Sequence, residues 1–196
     1  MKVLVACEFS QIVTKAFRNA GHEAYSCDLL PTEGNPDWHF QDDVFNVIER
    51  GWDLMIAHPP CTYLCSSGLH WNKRRPERVQ MTEDALDFVA KLLNADIARI
   101  CIENPIGCIS TRIRKPDQII QPWMFGHPES KATCLWLKNL PILQPTNILT
   151  LPATKRWNNQ TASGQSNVPE YKDRWKIKSR TYTGIADAFA NQWHFP

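Results

Sequence analysis

Residues 2–28, KVLVACEFSQIVTKAFRNAGHEAYSCD, decide the fold. Lys2 to Cys7 is a short β-branched run of the kind that forms a strand buried on both faces. Ile12, Val13, Ala16, Phe17 and Ala20 then recur at helical spacing, and Gly21 follows as a helix stop. Glu23 to Cys27 reads as a second strand ending at Asp28, so the chain opens β-α-β. The same alternation continues. Asp53 to Ala57 is a third apolar strand, broken at once by His58-Pro59-Pro60-Cys61. A helix from about Thr82 to Asn94 carries Ala85, Phe88, Val89 and Leu92 on one face, and Ile97 to Ile102 is a fourth strand, stopped by Glu103-Asn104-Pro105. This alternation predicts an α/β fold, a mostly parallel sheet with helices on both faces.

Ligands of such sheets sit beyond the carboxyl ends of the strands. Cys7-Glu8, Asp28, His58 to Cys61 and Glu103-Asn104 all fall at those ends, so the polar residues converge on one rim. Between these elements, residues 31–40 are loop by their Pro, Gly and Asn content, and Val44 to Ile48 reads as a short helix. Residues 62–76 read as a mobile loop, with a basic cluster of Lys73, Arg74, Arg75 and Arg78 at its end. The second half is less periodic. Trp136 to Leu143 includes one more strand, residues 153–176 form a long polar surface loop, and Ile185 to Trp193 is a terminal helix.

With 196 residues the chain is read as one domain over 1–196. Eight Trp and eight Phe require burial, which excludes a disordered chain. A net charge of +2 exerts no global attraction on polyanions, so nucleic-acid contact has to come from a local patch. No apolar stretch is long enough to span a bilayer and the start lacks a signal-peptide core, so a soluble, cytoplasmic protein is expected, with no membrane partner. Seven cysteines with no C-x-x-C pair suit a reducing compartment and leave each to be read as packing, ligand or nucleophile.

Cys61 follows a strand end and two prolines that fix the chain's direction. A thiol there can attack a bound ligand, and basic neighbours such as Lys73 to Arg75 would favour its thiolate. Glu103 ends the fourth strand, where partial burial raises a carboxyl's pKa and equips it to pass a proton to a ring nitrogen, with Asn104 orienting it. His58, Cys61, Cys65 and His70 are spaced H-x2-C-x3-C-x4-H, with ligand types acceptable to zinc. Structural zinc sites use two compact pairs, however, and Pro59-Pro60 would strain the chelate, so no metal is expected.

Asp28, Asp43, Pro59-Pro60-Cys61 and Glu103-Asn104, in this order, resemble the C5-cytosine DNA methyltransferases, most closely the short phage-type members. Residues 53–61 (DLMIAHPPC) are similar to the nucleophile motif and 102–105 (IENP) to the Glu-Asn-Val motif. Residues 125–137 (FGHPESKATCLWL) are similar to a Tyr-Gly-x-x-x-x-Lys-x-Thr segment, and 181–193 to the returning helix that closes the cofactor pocket. Gln11 stands where the family has a glycine. The resemblance implies a Rossmann-like methyltransferase fold and S-adenosylmethionine bound by Glu8, Phe9, Ser10, Asp28, Leu29, Asp43 and Pro59. It also implies catalysis by Cys61, Glu103 and Asn104, and substrate contacts from Pro60, Lys73, Arg74, Arg75, Lys131 and Thr133. The substrate would be DNA or a cytosine nucleotide, methylated at carbon 5 through a cysteine adduct by a phage-encoded enzyme in a host cytosol. The alternative is a catalytically inactive or nucleotide-binding phage module, serving nucleotide-level modification or the inhibition of a host protein.

Overall fold

The computed structural model describes residues 1–164, 167 and 174–195. Strands β1 (Lys2–Ala6), β2 (Glu23–Asp28), β3 (His39–Gln41), β4 (Leu54–Ala57), β5 (Arg99–Pro105), β6 (Gln118–Ile120) and β7 (Thr133–Lys138) form one seven-stranded sheet in the order β3-β2-β1-β4-β5-β7-β6. β1 to β5 pair in parallel, whereas β7 runs antiparallel to both β5 and β6. The helices are α1 (Ile12–Asn19), α2 (Ser66–Leu69), α3 (Glu77–Leu93), α4 (Ile109–Arg112), α5 (Arg174–Ser179) and α6 (Thr183–Gln192). This is a Rossmann-like α/β architecture, as expected.

The period-2 alternation of the strands divides the core in two. Val3, Val5, Leu54, Ile56, Cys101 and Leu135 face α1 and α6, packing on Phe17, Phe189 and Trp193. Leu4, Ala6, Met55, Ala57, Ile100, Ile102 and Trp136 face the other way, onto Leu86, Val89 and Leu92 of α3. Each central strand is buried on both faces, which is why β1 and β4 read as continuous apolar runs.

Several boundaries differ from the expectations. β3 lies partly inside the stretch read as loop; a three-residue edge strand is too short to carry a pattern. Residues 62–76 are folded into α2 and a 3₁₀ turn at His70–Lys73, and α3 starts at Glu77, five residues early, just after Pro76. β5 continues through Glu103-Asn104-Pro105, because antiparallel β7 supplies partners that a parallel neighbour would not. β7 occupies Thr133–Lys138 rather than 136–143, and β6 has no apolar run to announce it. The polar stretch 153–176 ends in the start of α5, while residues 165, 166 and 168–173 of it lie outside the described residues. Among the described residues no helix is long and apolar enough to cross a membrane.

Candidate functional site

The register of the sheet builds the site. Ala57 pairs with Ile102, so the next residues on each chain, His58 and Glu103, lie side by side on one face. His58 Nδ1 is 3.0 Å from Glu103 Oε2, and the two side chains are 8% and 13% exposed. Leu135 pairs with Glu103 on the other side, which puts Thr133, two residues earlier, on the same face. One position on, Asn104 Nδ2 donates to the Pro59 carbonyl at 2.7 Å, so the strand carrying Glu103 is tied to the prolines that precede Cys61. A second tie lies further along: Cys108 N–H donates to Leu64 O at 2.9 Å and Ser66 N–H to Ile106 O at 3.0 Å.

Burial pushes the Glu103 carboxyl up, but the hydrogen bond with His58, the charge of Lys131 and the Thr133 side chain outweigh it. Glu103 therefore sits below the usual carboxylate value. This corrects the expectation of a raised pKa: Glu103 is an ionised group when the site is empty, because its neighbours are cationic or donating.

Cys61 is half-buried. Its thiol is pushed up by the hydrogen bond to Cys65, by burial and by the negative charge of Glu103, with Lys131 opposing. Cys65, one turn further on and capping the short α2, is held below the ordinary thiol value because Cys61 donates to it, with Ser67 and the Gly68 backbone also donating. The two thiols are thus pushed in opposite directions, Cys61 up and Cys65 down. Lys73, Arg74 and Arg75 do not shift Cys61, contrary to expectation; Lys73 ends the 3₁₀ turn and the two arginines follow it, all three exposed.

Beside this cluster, on the α3 side of the sheet, lies a cavity of about 250 Å³. Asp28, Leu29, Asp43, Pro59 and Pro60 line it. Cys7, Cys27, Asp42, Val44, Tyr63, Leu64, Ala85 and Phe88 complete the wall. Ala85 and Phe88, partly buried against the α3-side core, also close the cavity. Asp28 is raised by burial, although the Leu30 N–H donates to its Oδ1 at 2.9 Å. Asp43 Oδ1 caps the 3₁₀ turn at Val44–Asn46.

The β1–α1 turn is held from inside. Cys7 and Gln11 both adopt left-handed backbone, φ 58° each, which costs a non-glycine residue about 1–3 kcal/mol. Glu8 stabilises the turn by accepting from Val13 N–H (2.7 Å), Thr14 N–H (3.1 Å) and the Thr14 hydroxyl (2.7 Å), as the anionic cap of α1. Ser10 donates to Glu8, and Phe9 packs beneath Trp175. Glu8, Phe9 and Ser10 therefore shape the turn and do not line the cavity. Gln11 is fully buried, bonded to Ser26 and to the Asn35 backbone, and it too stands clear of the cavity. Lys131 lies near Glu103 and Cys61, with Nζ donating to Lys178 O at 2.9 Å, and Thr133 is buried with its hydroxyl on Lys131 O.

His58 is the residue that sequence reasoning missed in this role, having read it only as a possible zinc ligand. No group of three or more His, Cys, Asp or Glu side chains is placed to hold a metal ion among the described residues. The remaining exposed feature is a basic-aromatic patch: Arg74 and Arg75 each stand 5.6 Å from the Trp71 ring centre, and Arg78 lies 4.6 Å over Tyr63. Arg78 also donates to Thr62 O, which joins the patch to the loop that carries Cys61.

Fold and site together define a Rossmann-like domain with a rim cavity and an adjoining thiol–carboxylate cluster. No family model matches the chain, and no curated protein matches it. Among solved structures it is similar to a candidate DNA modification methyltransferase encoded within an E. coli prophage, at 14% identity and a TM-score of 0.45. The likeness covers 79% of this chain and 53% of that one, so the chain spans about half the length of that structure.

Proposed function

We propose that this chain is a methyltransferase-like enzyme that uses S-adenosylmethionine and methylates carbon 5 of cytosine in DNA through a covalent bond to Cys61. One observation carries the reading: Pro59 and Pro60, which line the cavity, lead directly into Cys61, and Asn104, next to Glu103, donates to the Pro59 carbonyl. The cavity is slightly smaller than the roughly 300–1,000 Å³ of drug-sized pockets, which fits a nucleoside portion with the rest of the ligand extending toward Cys61. Its residues suit such a group. Val44, Leu64 and Phe88 offer apolar walls to a flat base, and Asp28, raised by burial, gains from accepting hydroxyl hydrogen bonds. When bound, the cofactor supplies a methyl group on a positively charged sulfur.

The chain's own residues do the rest. Cytosine is a poor nucleophile at carbon 5, so Cys61 adds at carbon 6 and makes carbon 5 electron-rich. Cys61 must lose its proton to do so, and Cys65 already accepts a hydrogen bond from that thiol. Glu103 engages ring nitrogen 3, while Asn104 keeps Pro59 and the thiol loop against it. After methyl transfer, loss of the carbon 5 proton expels Cys61. A base in a duplex has to be flipped out first, at a few kcal/mol. Lys73, Arg74 and Arg75 would meet the phosphates that accompany it and Lys131 the substrate beside Glu103, and Trp71, 39% exposed, offers a stacking face.

Calorimetric titration with S-adenosylmethionine is expected to show one-site binding. Labelled methyl should then pass to DNA in preference to deoxycytidine nucleotides, and Cys61→Ala should abolish transfer while sparing cofactor binding. Transfer that survives in that variant refutes the nucleophile assignment.

A further inference from the structure

Two polar side-chain atoms at the centre of the site are buried without any partner: His58 Nε2 and Asn104 Oδ1. Buried polar groups are nearly always satisfied, so each of these orphans is a position that a ligand or a water would complete. His58 itself is 92% buried at its side chain, taking the 8% exposure from unity, and its other nitrogen is fixed on Glu103 at 3.0 Å. Packing alone explains neither its polarity nor its orientation.

We propose that His58 is a positioning residue of this chemistry, orienting Glu103 and exchanging with it the proton that cytosine ring nitrogen 3 takes up and returns. The inference rests on the cytosine reading above and deepens it. Ring nitrogen 3 is an acceptor, and an ionised carboxylate cannot donate to it. Glu103 therefore needs a proton at the moment Cys61 adds. The titratable and charged groups around it are His58 at the end of β4, Cys61 in the following loop, Cys101 in β5, Cys134 in β7 and Lys131 just before β7. The Lys131 ammonium is engaged with Lys178 O, and the thiols lie on neighbouring chain without a hydrogen bond to the carboxylate. His58 alone offers a ring N–H directly on it.

The step balances. The imidazolium passes its Nδ1 proton to Oε2, and the carboxyl passes one proton to nitrogen 3 as the sulfur–carbon 6 bond forms. When that bond breaks, nitrogen 3 returns the proton through Glu103 to Nδ1. No proton is consumed by the relay, and the one released overall comes from carbon 5.

The test compares full-length wild type with His58→Gln, whose amide can keep a hydrogen bond to Glu103 but cannot relay. Methyl transfer to DNA is followed with varied DNA concentration. The variant should keep KM for DNA within about threefold and lose on the order of 10²–10⁴ in kcat. A wild type that depends on Cys61 and a His58→Gln variant that keeps the wild-type kcat overturn the role of His58 and leave the cytosine reading standing. A wild type that transfers no methyl overturns both. Should His58→Gln fail to fold, nitrogen-15 spectra of the wild-type histidines decide. Forming the adduct with an oligonucleotide containing 5-fluorocytosine, which has no carbon 5 proton to lose, should move the His58 Nδ1 signal, and an unmoved signal overturns the relay.

Discussion

Gly107→Ala tests whether the thiol loop and the carboxylate strand are held as one unit. A Cβ at residue 107 would lie 1.9 Å from Leu64 O and 2.8 Å from the Cys65 Cα. Both neighbours are backbone, and Cβ contacts under 3.0 Å essentially do not occur, so the two segments must part by about 1 Å. That opens the Cys108–Leu64 and Ser66–Ile106 hydrogen bonds. At about 0.5–1.5 kcal/mol each, their loss removes about 1–3 kcal/mol of stability. In a domain of this size each kcal/mol lowers Tm by about 2–4 °C, so a fall of roughly 2–12 °C is expected by circular dichroism. The displacement also reaches Cys61, because Leu64 and Cys65 both donate to its carbonyl, at 3.0 and 2.9 Å, and so hold it in the moving turn. A misplacement of about 1 Å lowers a positioned reaction on the order of 10²-fold, which methyl-transfer rates would read. A variant with an unchanged Tm and an unchanged rate refutes the coupling of the two segments.

Three other outcomes follow from the same geometry. Because Glu103 is held below its ordinary value of 4.5, its contribution to stability is present above that pH and is lost as pH falls through the lower folded value. The urea midpoints of wild type and Glu103→Gln should therefore differ at pH 7 and converge in acid; a gap that stays constant counts against the charge account. Ala85→Trp places an indole in the cavity from α3 and should abolish S-adenosylmethionine binding by calorimetry with the circular dichroism spectrum intact, whereas wild-type affinity would place the cofactor elsewhere. Iodoacetamide near neutral pH should label Cys65 before Cys61 in peptide mass maps, since the donors around Cys65 hold its thiolate; the reverse order would invert the assignment of charge in the pair.

The core strands were legible because burial on both faces leaves an apolar run that local sequence displays, and β1, β2 and β4 fall within a residue or two of expectation. The rim position of Asp28 and Pro59-Pro60 was legible for the same reason, since a residue at a strand's carboxyl end inherits its place from the strand. Short edge elements were not, because three residues such as Gln118–Ile120 carry no period and owe their structure to β7. Glu103-Asn104-Pro105 reads as a break yet pairs as strand, because its partner lies about thirty residues on.

What the sequence determined by itself is the alternation of strands and helices, and with it the edge on which polar residues gather; both are encoded in periods a few residues long. Only the tertiary structure decided the electrical state of the site. The distance from His58 to Glu103 spans 45 positions of chain, and it exists because Ala57 and Ile102 share a register. The sign of a pKa shift depends on which charges and donors surround a group in space, and sequence neighbours do not report them. Glu103 is therefore held below the carboxylate value where burial alone would have raised it, and Cys61 is pushed up by Cys65, burial and Glu103 rather than lowered by the basic residues that follow it along the chain.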